Sequence, residues 1–66
     1  MDLDAAIKKR YAVLTPLLEE RSRRLLVAAE SQVIGRSGTA VVSKVTGVSR
    51  RVIRQGMTEL KEPAIL

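Results

Sequence analysis

Apolar residues recur at helical spacing in four stretches of the chain, with polar and charged residues between them. Leu3, Ile7, Tyr11 and Leu14 follow an i, i+4, i+8, i+11 pattern that turns Lys8, Lys9 and Arg10 outward, so a first helix is expected over 3–14. Asp2 or Asp4 can cap its start, where carboxylates suit the positive end of the helix. Tyr11 reads as a core ring with its hydroxyl at the surface. Thr15-Pro16 ends this helix, because the residue before proline avoids the α region. The same pair can open a second helix, from about 17 to 33, with Thr15 as cap, Pro16 at the first helical position and Leu18, Leu25, Leu26, Ala29 and Val33 inward. Gly35-Arg36-Ser37-Gly38 reads as a loop. Shorter helices are expected over 39–46 and 49–61. The fold class is therefore all-α, a small three- to four-helix bundle, with one domain over 1–62 and residues 63–66 as the start of a linker to a downstream domain.

The most informative run of the chain, Thr39 to Leu60, TAVVSKVTGVSRRVIRQGMTEL, takes in the last two helices and the break between them. Gly47 sits where the chain must reverse, and glycine reaches positive φ without a Cβ penalty, so it can end a helix in a left-handed cap. Ser49 can accept a hydrogen bond from a free N–H in the first turn of the next helix. Val48 can plug the core at the corner, and small Ser43 permits the helices to cross closely. Two short helices meeting at a tight glycine-containing turn describe a helix-turn-helix, whose second helix enters the DNA major groove.

The pattern of the last helix carries that expectation further. At about 100° per residue, Ile53, Gly56, Met57 and Leu60 share one arc, and Arg50, Arg51, Arg54, Gln55, Thr58 and Lys61 share the opposite one. Gly56 lies on the inward arc, where a helix glycine costs roughly 1 kcal/mol relative to alanine. Close approach of a neighbouring helix is the compensation expected. Arginine can donate two hydrogen bonds to guanine O6 and N7, and glutamine can pair with adenine. Arg50, Arg51, Arg54 and Gln55 are the candidate base readers, since the N-terminal end of a recognition helix reaches the base edges. Lys44, Ser49, Thr58, Lys61 and Arg36 are the candidate phosphate contacts, which position without reading sequence. A basic helix face can also be merely solvated. What shifts the balance to DNA is its place directly after the Thr-Gly-Val-Ser corner. In the expected second helix, Arg21, Arg23 and Arg24 form a second basic group, expected to be solvated and paired with Glu19 and Glu20.

Charge and composition agree with a polyanionic partner. The chain has 66 residues with 12 basic against 7 acidic side chains, net charge +5 and a pI near 10.5. A chain this short buries only about 60% of its unfolded surface, so one small core is all it can build. It contains no cysteine and no histidine, which removes disulfides, thiol nucleophiles, imidazole bases and the usual zinc ligands together. No catalytic residue, metal site or cofactor is expected. No stretch has the length of a membrane span or a signal-peptide core, and a cytoplasmic, nucleoid-associated protein is expected.

The run MDLDAAIKKRYAVLTPLLEERSRRLLVAAES, followed by GRSG and then VVSKVTGVSRRVIRQGMTELKEP, resembles the N-terminus of bacterial insertion-sequence transposases of the Rhodopirellula-type DDE family. The resemblance runs through almost the whole chain in order. It implies a helical domain that recognises the element ends, the terminal inverted repeats, in double-stranded DNA. It also implies a separate downstream catalytic domain with divalent metals on acidic residues, and a possible homodimer of the full-length protein. The Gly-Arg-Ser-Gly loop and the Thr-Gly-Val-Ser-Arg corner match the family's pattern, and the motif implies DNA contacts within Ser49 to Gln55. The sequence departs from the family pattern at Val27, Ser31 and Ser37, where alanine, alanine and glycine are expected. A stand-alone helix-turn-helix regulator and a helical interaction or dimerisation module with an acidic partner are the alternative functions.

Overall fold

The computed structural model describes residues 2–62 and is all-helical over them. Helix α1 covers Leu3–Leu14, α2 Glu20–Ile34, α3 Gly38–Thr46 and α4 Arg50–Lys61. The stretch expected to be linker, 63–66, lies outside the described residues.

Each helix sends one fully buried aliphatic side chain to a common centre. Ile7, Val27, Val42 and Ile53 are at most 1% exposed, and Tyr11, Ile34, Val41, Val45, Val48 and Met57 pack around them. With no tryptophan or phenylalanine in the chain, branched aliphatic residues fill this space. Helix α4 lies chiefly along α2, while α3 touches α1, α2 and α4. Helix α1 is fastened to α2 by a two-pronged ion pair in which Arg10 Nη2 donates to Glu30 Oε1 at 2.8 Å and Nε donates to Oε2. Arg10 thus faces outward as its spacing predicts, yet spans two helices.

The helix starts follow local chemistry. Asp2 caps α1 by accepting a hydrogen bond from the Asp4 N–H at 3.0 Å. Helix α1 does end at Leu14, but Thr15 keeps α-region angles (φ −51°, ψ −45°), so the residue before proline does not leave that region as expected, and the pair does not open α2. Thr15–Leu17 forms a single 3-10 turn, Leu18 then adopts an extended conformation, and α2 begins three residues later than the expected 17. Proline in a first turn suits a 3-10 turn as well as an α-helix, and the Leu18 backbone breaks the run. The glycine-flanked loop is also shorter than its composition predicts. Gly38 is the first residue of α3 and is buried, so only 35–37 remain outside helices.

Helix α2 turns a different face inward from the one expected. Val27, Ala28 and Ser31 are buried, Leu25 and Leu26 are half-buried, and Ala29 and Val33 are exposed, Val33 by 79%. The inward face is small because two backbones press on it. A Cβ on Gly38 would stand 2.0 Å from the Ser31 carbonyl oxygen, and one on Gly56 would stand 2.4 Å from that of Arg24. Val27 is part of the buried centre, Ser37 is exposed, and the Ser31 hydroxyl is buried with no hydrogen-bond partner among the described residues. An alanine at 31 would leave no orphaned hydroxyl there.

Candidate nucleic-acid interface

The corner forms as its residues require. Gly47 has φ 80° and ψ 0°, the left-handed cap of α3, and its N–H donates to the Ser43 carbonyl at 2.9 Å. Thr46 reinforces the stop: its hydroxyl donates to the Val42 carbonyl at 2.7 Å and accepts the Val48 N–H at 3.2 Å. Sequence reasoning did not single out Thr46, although a β-branched hydroxyl just before the cap is a recognisable signal for such a bond. Ser49 starts α4 by accepting the Val52 N–H at 3.2 Å, a cap worth about 1 kcal/mol. Val48 is half-buried against the core, holding the corner down.

The position of α4 follows from its inner edge. Ile53 and Gly56 are buried, Met57 is half-buried, and Leu60, placed inward by the arithmetic, is 39% exposed because it lies in the last turn of the helix. Gly56 lets the two helix backbones nearly touch where α4 crosses Arg24 and Ala28. A two-pronged ion pair then fixes the rotation of the helix: Arg24 Nε and Nη2 donate to the two carboxylate oxygens of Glu59, each at 2.9 Å. Arg21 stands 3.8 Å from the same carboxylate, and Arg24 is 4.0 Å from Glu20. The α2 arginines are therefore not chiefly partners of Glu19 and Glu20. Arg24 reaches across to α4, and Arg23 donates from Nε to the Thr15 carbonyl at 2.9 Å.

Hydrogen bonds from Arg24 hold the Glu59 carboxyl below its ordinary value of 4.5; partial burial opposes this, and the charges of Arg24 and Arg21 add to it. A carboxyl whose pKa falls on folding stabilises the fold above its unfolded pKa and loses that contribution as pH drops through the folded value. Thermal midpoints are therefore expected to fall below about pH 4.5 more steeply in wild type than in Glu59→Gln. Parallel acid profiles for the two proteins would mean that the pair does not couple to folding.

All six predicted outward residues of α4, Arg50, Arg51, Arg54, Gln55, Thr58 and Lys61, are exposed, and so is Ser49 before them. By the same 100° arithmetic, Arg51, Arg54 and Thr58 occupy the middle of the arc. Arg50 and Lys61 lie on the edge next to Met57, and Gln55 on the edge next to Glu59. None of the four cations on this face has a carboxylate within 4.0 Å among the described residues, whereas Arg10, Arg21 and Arg24 all do. Thr58 donates to the Arg54 carbonyl at 3.2 Å, leaving its oxygen lone pairs outward. Arg36 is exposed in the α2–α3 loop. Lys44 is exposed on α3 and borders a shallow hollow shared with Asp2, Asp4 and Lys8, so it stands nearer the start of α1 than the α4 face residues do. Ser49 and the cationic face thus come together on one helix, while Lys44 and Arg36 belong to neighbouring elements.

No protein-family model matches the chain, nor does any curated protein or solved structure. No helix among the described residues is long and apolar enough to cross a membrane.

Proposed function

We propose that this chain is the DNA-binding domain of a transposase of the Rhodopirellula-type DDE family, recognising the element ends in double-stranded DNA by laying α4 in the major groove. The observation that carries this reading is the unpaired guanidinium face of α4. Three arginines and a lysine are exposed there without carboxylate partners, directly after a glycine–serine corner. Elsewhere on the molecule Arg10 and Arg24 each hold a carboxylate through two hydrogen bonds, and Arg23 donates to the Thr15 carbonyl. A surface evolved only for solubility intersperses charges of both signs; this one is cationic from end to end.

In this reading Arg50, Arg51, Arg54 and Gln55 read base edges, with Arg51 and Arg54 nearest the groove floor. Ser49, Thr58, Lys61, Lys44 and Arg36 hold phosphates. The chain itself binds without chemistry, working in the cytoplasm on the nucleoid, and cutting and joining belong to a catalytic domain elsewhere in the full-length protein, which can act as a homodimer. Replacing Arg54 or Gln55 with alanine is expected to cost about 1–3 kcal/mol on a selected duplex and to relax discrimination at one base pair. Affinity should also fall with rising salt at a log–log slope near −0.9 per phosphate contact. Equal binding of both variants to cognate and scrambled duplexes would remove the base-reading assignment. No binding to any duplex at low salt would favour instead an interaction module for an acidic protein.

A further inference from the structure

Beside the reading helix, a half-open cleft of about 230 Å³ runs between α1, α2 and the start of α4, lined by Tyr11, Glu20, Arg23, Arg24, Val27, Val48, Val52 and Gln55. It is smaller than the roughly 300–1,000 Å³ of pockets for drug-sized ligands, so it suits a small group. The geometry points to a binding site in this cleft for one phosphodiester of the DNA backbone, held by Arg23 with Tyr11. The inference rests on the major-groove reading of α4 and adds a contact from a helix outside the helix-turn-helix.

Three observations support it. Arg23 has no carboxylate within 4.0 Å among the described residues, unlike its neighbours Arg21 and Arg24. Its Nε is anchored on the Thr15 carbonyl at 2.9 Å, which holds the guanidinium plane and leaves both terminal nitrogens without a protein acceptor among the described residues. A planar guanidinium held at one nitrogen is preorganised to donate two hydrogen bonds to phosphate oxygens. Second, the Tyr11 hydroxyl makes no hydrogen bond within the protein among the described residues, so it keeps its donor for a ligand at the cleft it lines. The opposing carboxylate of the lining is Glu20, whose side chain is 89% exposed and sits at 4.0 Å from Arg24.

The third observation is spatial. An α-helix with its side chains measures about 10–12 Å across, and the major groove is about 12 Å wide. A helix that fills the groove leaves its flanks against the sugar–phosphate walls. Gln55 occupies the edge of the α4 arc that borders the cleft, so Arg23 and Tyr11 lie beyond that edge, where a wall must run. Base atoms do not extend there, and a phosphate does.

The test uses the whole chain and a duplex selected from a random pool, with binding measured across a salt series for wild type, Arg23→Ala, Tyr11→Phe and Arg54→Ala, each checked for cooperative melting. Arg23→Ala is expected to lose about tenfold at low salt, equally on selected and scrambled duplexes, and to flatten the log–log slope by about 0.9. Tyr11→Phe keeps the ring and is expected to lose several-fold, again without regard to sequence; it decides the matter should Arg23→Ala fail to fold. Wild-type affinity and slope in a folded Arg23→Ala, or in Tyr11→Phe if that variant decides, while Arg54→Ala still loses discrimination, would overturn the cleft site and leave the reading of α4 standing. Failure of wild type to bind any duplex would overturn both.

Discussion

Gly56→Ala is expected to destabilise the protein by at least about 1–3 kcal/mol, although alanine in an ordinary helix interior improves on glycine by up to about 1 kcal/mol. The sign inverts because of what the new methyl group meets. Its carbon would stand 2.4 Å from the Arg24 carbonyl oxygen, 2.9 Å from the carbonyl carbon and 3.0 Å from the Ala28 Cβ. Backbone atoms in the middle of α2 cannot rotate aside as a flexible side chain can, so relief requires α4 to lift away from α2. Lifting would lengthen the two Arg24–Glu59 hydrogen bonds and draw Ile53 out of the centre. Gly38→Ala meets the Ser31 carbonyl oxygen at 2.0 Å and should behave likewise at the α2–α3 crossing. Urea denaturation followed by circular dichroism measures both. A Gly56→Ala protein as stable as wild type would mean that α4 does not approach α2 this closely.

Ile53→Ala is expected to cost about 2–5 kcal/mol, the usual range for emptying a fully buried aliphatic site. At roughly 0.05–0.15 kcal/mol per residue, a folded chain of this length has only about 3–10 kcal/mol to lose, so this one change can unfold much of the population. Ile53 is 0% exposed and is the buried aliphatic that α4 contributes to the centre, so nothing nearby on the same helix replaces it. Leu60, on the same predicted arc but 39% exposed, should cost under about 1 kcal/mol when truncated. The contrast between the two positions, read from denaturation midpoints, reports which edge of α4 holds the helix down. Equal costs would place the edge elsewhere.

How much of this was legible beforehand depended on whether a residue had one physical use or several. Gly47 and Ser49 have narrow roles, left-handed backbone and helix cap, and both appear where the sequence placed them. Helix α4 was legible because its apolar and cationic residues separate cleanly, and Gly56 announced a close approach by being expensive anywhere else. Helix α2 was misread because its inward face consists of Val27, Ala28 and Ser31, small residues chosen by the nearness of two other backbones, while its larger leucines lie only half-buried. Large apolar side chains mark a core face when helices sit at ordinary separation, and that rule fails where glycines bring them together. The Arg24–Glu59 pair was out of reach for a different reason. Its members are 35 positions apart, and Glu19 and Glu20 offered nearer partners in sequence. The start of α2 was lost to proline, which serves a 3-10 turn and an α-helix start equally well. As for the interface, the exposure of Arg50, Arg51, Arg54 and Gln55 followed from spacing alone, whereas the cleft beside them depends on Arg23 being tied to Thr15, a tertiary detail with no sequence signal.

Methylation interference on a duplex selected by the chain tests most directly whether α4 reads the major groove. Guanine N7 lies in that groove and adenine N3 in the minor groove. Methyl groups on N7 of guanines inside the selected site should abolish binding, methyl groups on adenine N3 across the same base pairs should not, and Arg54→Ala should become indifferent at one of those guanines. Binding that survives every N7 methylation, or that fails only on adenine N3 methylation, would contradict a guanidinium face seated in the major groove.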